Sequence, residues 1–196
     1  MGNGMLLHSG RLVDPLTLSV QDINIRDIAH ALSMICRYNG HVRSFYSVAE
    51  HSFHVSRIAE DKARNDISFA TAGNGTRWGL LHDATEAYLG DCVRPLKVRS
   101  EFAFYREVEE ALRLRIAERF GLPSQMPAVV VSADAEICGT EMRQLLTLGT
   151  SDQSLRFTMP DGCSELPASI PGLVVGLWSP DEAETRFLAR YQELWS

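Results

Sequence analysis

Lysine is almost missing from this chain. Of 19 basic residues only Lys62 and Lys97 are lysine, and the other 17 are arginine. Acidic residues number 25, so the formal net charge is −6. A chain of that sign offers no broad surface to a nucleic-acid polymer, which needs an extended basic face. A small anion is still within reach of a local basic pocket. Cysteine is scarce too: Cys36, Cys92, Cys138 and Cys163 are the only four, and no two have Cys-x-x-Cys spacing. That excludes the common zinc and dithiol redox motifs. We read free thiols in a reducing cytosol. No stretch approaches the ~18 consecutive apolar residues of a membrane span. The first five residues carry no basic region, so no signal peptide is expected. Internal repeats, low-complexity tracts and strand-like alternation are also missing.

What remains is an ordinary globular composition. With 196 residues, 45% hydrophobic, the chain is expected to form one domain spanning residues 1–196. A chain of that length buries roughly 70% of its unfolded surface, enough for a core without metal or disulfide staples.

Helical spacing dominates. Ser9-Gly10 and Asp14-Pro15 punctuate short apolar pieces, which predicts a small hairpin or arm. Ile25, Ile28, Ala29, Leu32 and Ile35 form one apolar stripe over residues 25–36, stopped by Asn39-Gly40. Ser47 and Glu50 fit a capping box for a helix bearing Val55, Ile58 and Ala59. Residues 61–77, with Gly73-Asn-Gly75, read as a surface loop. A helix is predicted from Trp78 to Leu89 with Gly90 at its end. Two more span 99–120 and 127–147. Residues 149–178 read as a loop with a short strand at Leu173–Val175. Ser179, Pro180 and two acids then open a last helix carrying Phe187, Leu188, Tyr191 and Trp195. The expectation is an all-α bundle of about six helices with a short N-terminal hairpin or arm.

The chemistry concentrates in His82-Asp83-Ala-Thr-Glu86. On a helix these three polar side chains project to one side. They follow the apolar run Trp78–Leu81, and burying His, Asp and Glu together is costly unless something pairs them. A divalent cation with open positions is one such partner. A His-Asp pair that only hydrogen-bonds is the other. His51 in the first turn of its helix and Asp134 in an apolar stretch of 127–147 are further candidate ligands. A metal in such a set turns water into a nucleophile and polarises a phosphoryl oxygen. A nearby carboxylate that is not a ligand then moves the proton.

The strings Ser47-Val-Ala-Glu-His51, Leu80-Leu-His82-Asp83-Ala-Thr-Glu86 through Asp91, Pro95 and Lys97, and Ser132-Ala-Asp134 resemble the HD-domain metal-dependent phosphohydrolases. The upstream strings Ile25–His30, Ile35–His41 and Phe45–Ser47 are similar to the same group. The nearest branch is the bacterial and phage set of 5′-deoxynucleotidases and dATP triphosphohydrolases, with the oxetanocin phosphohydrolase. The resemblance covers about residues 9–140. It implies an HD-domain helical bundle in which His51, His82, Asp83 and Asp134 ligate one divalent ion: Co²⁺, Mn²⁺, Fe²⁺ or Mg²⁺. A second ion carried by the substrate phosphates and Glu86 is left open. The resemblance further implies that Glu86 orients or activates the attacking water and that Asp91 assists the leaving oxygen. Arg37 and Lys97 take the phosphate, and Tyr38 stands where the 5′-deoxynucleotidases have tryptophan.

Arg43 and Arg94 are added as candidate phosphate contacts, each against a reading as surface charge. Glu136 and Glu141 read as exposed helix charges. His54 reads as packing, against a supporting role at the metal. Tyr105, Arg106 and Glu109 read as packing, against lining the nucleoside end of the pocket. Trp178 and Trp195 read as core. The expected activity is a metal-dependent nucleotide phosphohydrolase in the cytoplasm. It removes 5′-phosphates from purine (deoxy)nucleotides or nucleotide analogues by attack of metal-bound water. A dATP-type triphosphohydrolase, a non-catalytic nucleotide sensor and a cyclic-nucleotide phosphodiesterase stand as alternatives. The expected partner is a small nucleotide, neither a polymer nor a membrane, and homo-oligomerisation is left open.

Overall fold

Each long apolar stripe becomes a helix. The computed structural model describes residues 4–65, 73–146 and 170–196. Strands β1 (Met5–Leu6) and β2 (Leu12–Val13) pair antiparallel, Met5 opposite Val13. Eight α-helices follow among the described residues: α1 (Ile25–Met34), α2 (Val48–Asn65), α3 (Gly73–Leu81), α4 (Glu86–Leu89), α5 (Arg94–Lys97), α6 (Ala103–Arg119), α7 (Ala128–Leu145) and α8 (Pro180–Trp195). Six are long, and α4 and α5 are single turns. The expected all-α bundle with its hairpin is therefore the observed architecture. No helix among the described residues is long and apolar enough to cross a membrane.

Among the described residues a main core runs through the bundle, with a small second cluster of Tyr46, Leu145 and Val175. Ile28, Ala29 and Leu32 of α1, Val55 and Ala59 of α2, Trp78, Leu80 and Leu81 of α3, Leu112 and Ile116 of α6, Val130 and Ile137 of α7 and Phe187 of α8 all belong to the main core. Burying a side chain of this size stabilises by roughly 1.5–3 kcal/mol. The hairpin is tied to this body at its turn. Ser9 donates from its backbone nitrogen and its hydroxyl to the buried carboxylate of Asp27 in the first turn of α1 (2.7 and 2.9 Å).

Helices α2 and α3 approach to backbone contact. Gly79 permits it: a Cβ there would lie 2.9 Å from Ser56 Cα. Ser56 also donates its hydroxyl to the Thr76 carbonyl (3.0 Å).

Four expectations need correction. The stretch from Asp61 to Arg77 is largely helical at both ends, since α2 runs to Asn65 and α3 starts at Gly73. Glycine early in a helix weakens it, but packing against α2 overrides that cost; residues 66–72 lie outside the described set. The single helix expected from Trp78 to Leu89 is interrupted by turns at 82–85. There the ladder tightens to three-residue bonds, from Ala84 N to Leu81 O and from Glu86 N to Asp83 O (both 3.0 Å). Only half of the capping box forms. Ser47 Oγ accepts the Glu50 backbone N–H (3.0 Å), but the Glu50 carboxylate turns away to the backbone of residues 176–178. The expected loop and strand at 149–178, like Cys163, fall partly outside the described residues. Leu173–Val175 is not a strand; Val175 N donates to the Gln144 side chain instead (3.0 Å).

Candidate metal centre

Three helical segments deliver the candidate ligands. His51 stands in the first turn of α2, His82 and Asp83 stand in the turns that follow α3, and Asp134 stands on α7. His51 Nε2 lies 3.2 Å from His82 Nε2. Asp83 Oδ2 is 3.2 Å from His82 Nε2 and 3.6 Å from His51 Nε2. His51, His82 and Asp83 thus present three ligand atoms within 4.8 Å of one another, a group that is able to hold a metal ion. Asp134 joins through His51, its Oδ1 3.1 Å from His51 Nε2. The break after Leu81 matters here, because the tighter turns swing His82 and Asp83 together onto His51.

The far nitrogen of each imidazole is already committed. His51 Nδ1 contacts Glu141 Oε1 at 2.6 Å, and His82 Nδ1 contacts the Gly79 carbonyl at 2.9 Å. Both partners are acceptors, so the hydrogen-bond network assigns the proton to Nδ1 in each ring. Two Nε2 lone pairs then face each other across 3.2 Å. That arrangement is repulsive unless a proton or a metal cation stands between them, and a committed Nδ1 with Nε2 turned to the centre is how metal-binding imidazoles are held. The donor set fits a divalent transition metal, with imidazole nitrogen and carboxylate oxygen as ligands.

Charge balance points the same way. Burial and the nearby Arg37 both oppose a proton on His51, yet Glu141 and Asp134 outweigh them and raise its pKa to about 9. Burial would raise the pKa of Asp83, but His82, His51 and Arg37 hold it well below the usual carboxylate range. Asp134 is lowered too, burial being overcome by His51 and His82. This pocket selects positive charge at the imidazole edge.

Glu141 was missed at the sequence level, where it reads as an exposed helix charge. It is fully buried. Its Oε1 accepts from Tyr46 Oη (2.7 Å) as well as His51, and its Oε2 accepts from Tyr38 Oη (2.8 Å) and Arg37 (3.3 Å). Burial raises its pKa, but Arg37 and His51 bring it down to about 2. The only sequence signal was its spacing of seven residues, two helical turns, from Asp134 on the same helix. Glu136 is the helix charge it was expected to be, paired with Lys62.

The other expected residues are placed as follows. Arg37 touches Asp83 Oδ2 (3.4 Å) beside its contact to Glu141. Tyr38 adopts a left-handed φ of 55° and turns its hydroxyl inward to Glu141. Glu86 opens α4, buried, with Oε2 lacking a hydrogen-bond partner. Burial, Asp83 and Asp91 raise its pKa well above the ordinary value. Asp91 is raised as well, chiefly by burial, and Asp83 adds to this against Arg37 and Lys97. It lines an open cleft of about 360 Å³ with Ile35, Cys36, Asn39, Gly40 and Gly90. Lys97 bonds Glu109 (2.6 Å). Tyr105 and Arg106 hold the connecting chain by bonds to the carbonyls of Gly90, Lys97 and Arg99. Arg43 donates to the Leu146 carbonyl (2.9 Å), at the far end of α7 from Asp134. Arg94 opens α5. His54 packs between Phe53 and Trp178, its Nε2 3.5 Å from Glu50 Oε1.

No family model matches the chain. Two curated proteins match it nearly end to end. The uncharacterized protein RCAP_rcc00048 of Rhodobacter capsulatus is 34% identical, over 95% of this chain and 92% of its own length. The uncharacterized protein YfdR of Escherichia coli is 36% identical, over 90% of this chain and 87% of its own.

Proposed function

The chain belongs to the same family as RCAP_rcc00048 and YfdR, and we propose that it is an HD-domain, metal-dependent phosphohydrolase of small nucleotides. The observation that carries this reading is the facing pair of Nε2 atoms at 3.2 Å, each with its Nδ1 fixed as a donor. His51, His82, Asp83 and Asp134 would hold one divalent ion, Co²⁺, Mn²⁺, Fe²⁺ or Mg²⁺. When bound, such an ion supplies a Lewis acid for a phosphoryl oxygen and lowers the pKa of nearby water.

The protein's own groups do the rest. Arg37 and Lys97 are the cations that act on both Glu86 and Asp91, and they neutralise phosphate charge. Guanidinium suits two phosphate oxygens at once, and the lysine supplies a point charge. Glu86, made more basic by burial and by its acidic neighbours, orients the attacking water and takes its proton. Asp91, which lines the cleft and is also raised, gives a proton to the leaving oxygen as the phosphorus–oxygen bond breaks. Ile35, Cys36, Asn39 and two glycines form the side of the cleft next to Asp91, and the nucleoside of a purine deoxynucleotide is assigned there. The free thiols of Cys36, Cys92 and Cys138 suit a reducing, cytoplasmic setting.

The test incubates protein supplemented with Mn²⁺, Co²⁺ or Mg²⁺ with a panel of NMPs, dNMPs and dNTPs, and identifies the phosphate species released. Inorganic phosphate is expected. Triphosphate from a dNTP would move the reading to single-step triphosphate release. No turnover of any substrate with any of the three ions would overturn it.

A further inference from the structure

Residues 170–178 cross the molecule from α7 to α2. Ile170 N donates to Thr140 Oγ1 (2.8 Å), and Gln144 binds the strap on both sides, to Leu173 O (2.6 Å) and from Val175 N (3.0 Å). The strap then ends on Glu50. Gly176 N and Leu177 N donate to its Oε1 (2.6 and 3.0 Å), and Trp178 N donates to its Oε2 (2.8 Å).

Three successive amides on one carboxylate make an anion nest. Its backbone is special. Leu177 has a left-handed φ of 51°, and a Cβ on Gly176 would lie 2.1 Å from the Trp178 indole nitrogen. The indole is locked in turn. It packs edge-on to Phe53 (5.1 Å between centroids) and against His54 (5.3 Å), with the Arg186 guanidinium 4.4 Å over its ring. Glu50 itself is fully buried.

The position of Glu50 gives the nest its consequence. It immediately precedes His51, in the helical turn that presents this ligand, and the strap's other anchors lie on α7, which supplies Asp134 and Glu141. We infer that Glu50 is a positioning residue for the metal centre, and that the strap 170–178 clamps α2 to α7 through it and so fixes His51 against Asp134 and Glu141. The inference rests on the metal-centre reading given above. It assigns a role to a C-terminal segment that carries no ligand of its own.

The test measures Co²⁺ binding to the full chain by titration and by the visible absorption of the bound ion. Glu50→Gln offers an amide NH₂ where three backbone N–H groups converge, so the nest loses part of its acceptor capacity. The expected result is a 10- to 100-fold weaker Co²⁺ affinity, on the order seen when a group supporting a metal ligand is removed, with a shifted absorption band. Leu112→Ala, a truncation in the buried face of α6, controls for loss of stability alone and keeps the wild-type affinity and band. Gly176→Ala attacks the nest from the strap side and decides the matter if Glu50→Gln does not fold. It too weakens binding. Wild-type affinity and spectrum in the nest variants, or equal weakening in Leu112→Ala, would overturn the inference while the metal centre stands. No Co²⁺ binding by the wild type would overturn both.

Discussion

Glu141→Gln probes the centre most directly. The carboxylate of Glu141 serves four groups: His51 Nδ1, Tyr46 Oη, Tyr38 Oη and Arg37. Glutamine offers one acceptor oxygen in place of two and turns an NH₂ toward groups that are themselves donors. Two of the four bonds are therefore lost, at roughly 1.5–3 kcal/mol each for bonds to a charged group. Tyr38 is only half-buried and is able to turn toward water, so the net cost falls at about 3 kcal/mol. That is within the ~5–15 kcal/mol of a typical domain, and the variant still folds. The second effect is on the metal. His51 loses the partner that fixes its tautomer, and affinity falls about 10- to 100-fold, or ~1.4–2.7 kcal/mol. Urea denaturation of metal-free protein measures the first quantity, and calorimetric titration with Mn²⁺ measures the second. Tyr46→Phe is the control. It removes one donor from the same carboxylate and costs about 1 kcal/mol of stability, with Mn²⁺ affinity unchanged because His51 keeps its bond. Wild-type Mn²⁺ affinity in Glu141→Gln would refute the reasoning, as would an equal loss in Tyr46→Phe.

Gly79→Ala places a Cβ 2.9 Å from Ser56 Cα, backbone against backbone, and is expected to cost ~1–3 kcal/mol as overpacking. A lower melting temperature checks this, and weaker metal binding accompanies it, because the Gly79 carbonyl holds His82. Glu86→Gln is expected to lower kcat by about 10²–10⁴ with the fold intact. It also carries a pH signature in metal-free protein. The folded pKa of Glu86 is raised above its ordinary value of 4.5. The native state therefore keeps a proton that the unfolded chain has released, and this group loses stability for the protein as pH climbs above that value. Glu86→Gln removes the loss, so its melting temperature matches wild type near pH 4 and exceeds it at pH 7. A constant difference across that range would contradict the assigned burial effect.

Much of the fold was legible because its signals are local. The stripe of Ile25, Ile28, Ala29 and Leu32, the Ser179-Pro180 start of α8 and the turn at Gly10 are read within a few residues of themselves, and each forms as expected. The order His51, His82-Asp83, Asp134 was legible as a pattern, and the structure brings these four side chains together. Local rules failed where tertiary contact overrode them. Glycines at 73 and 75 read as a loop but lie in α3, which packs tightly on α2. The helix expected through His82 breaks, and the break turns His82 and Asp83 toward His51.

Glu141 and Glu50 mark the boundary between the two kinds of information. Each is a glutamate on a helix: Glu141 reads locally as an exposed charge, and Glu50 as the carboxylate of a capping box with Ser47. Glu141 meets His51, Tyr46, Tyr38 and Arg37 at separations of 90 to 104 residues. Glu50 meets its three amides across 126 to 128 residues. The sequence by itself determined an acidic, lysine-poor, mostly helical chain with a short hairpin, and a set of candidate cation ligands. Only the tertiary structure decided which buried carboxylates orient them, because a charge is tolerated in the interior only where distant parts of the chain converge to satisfy it.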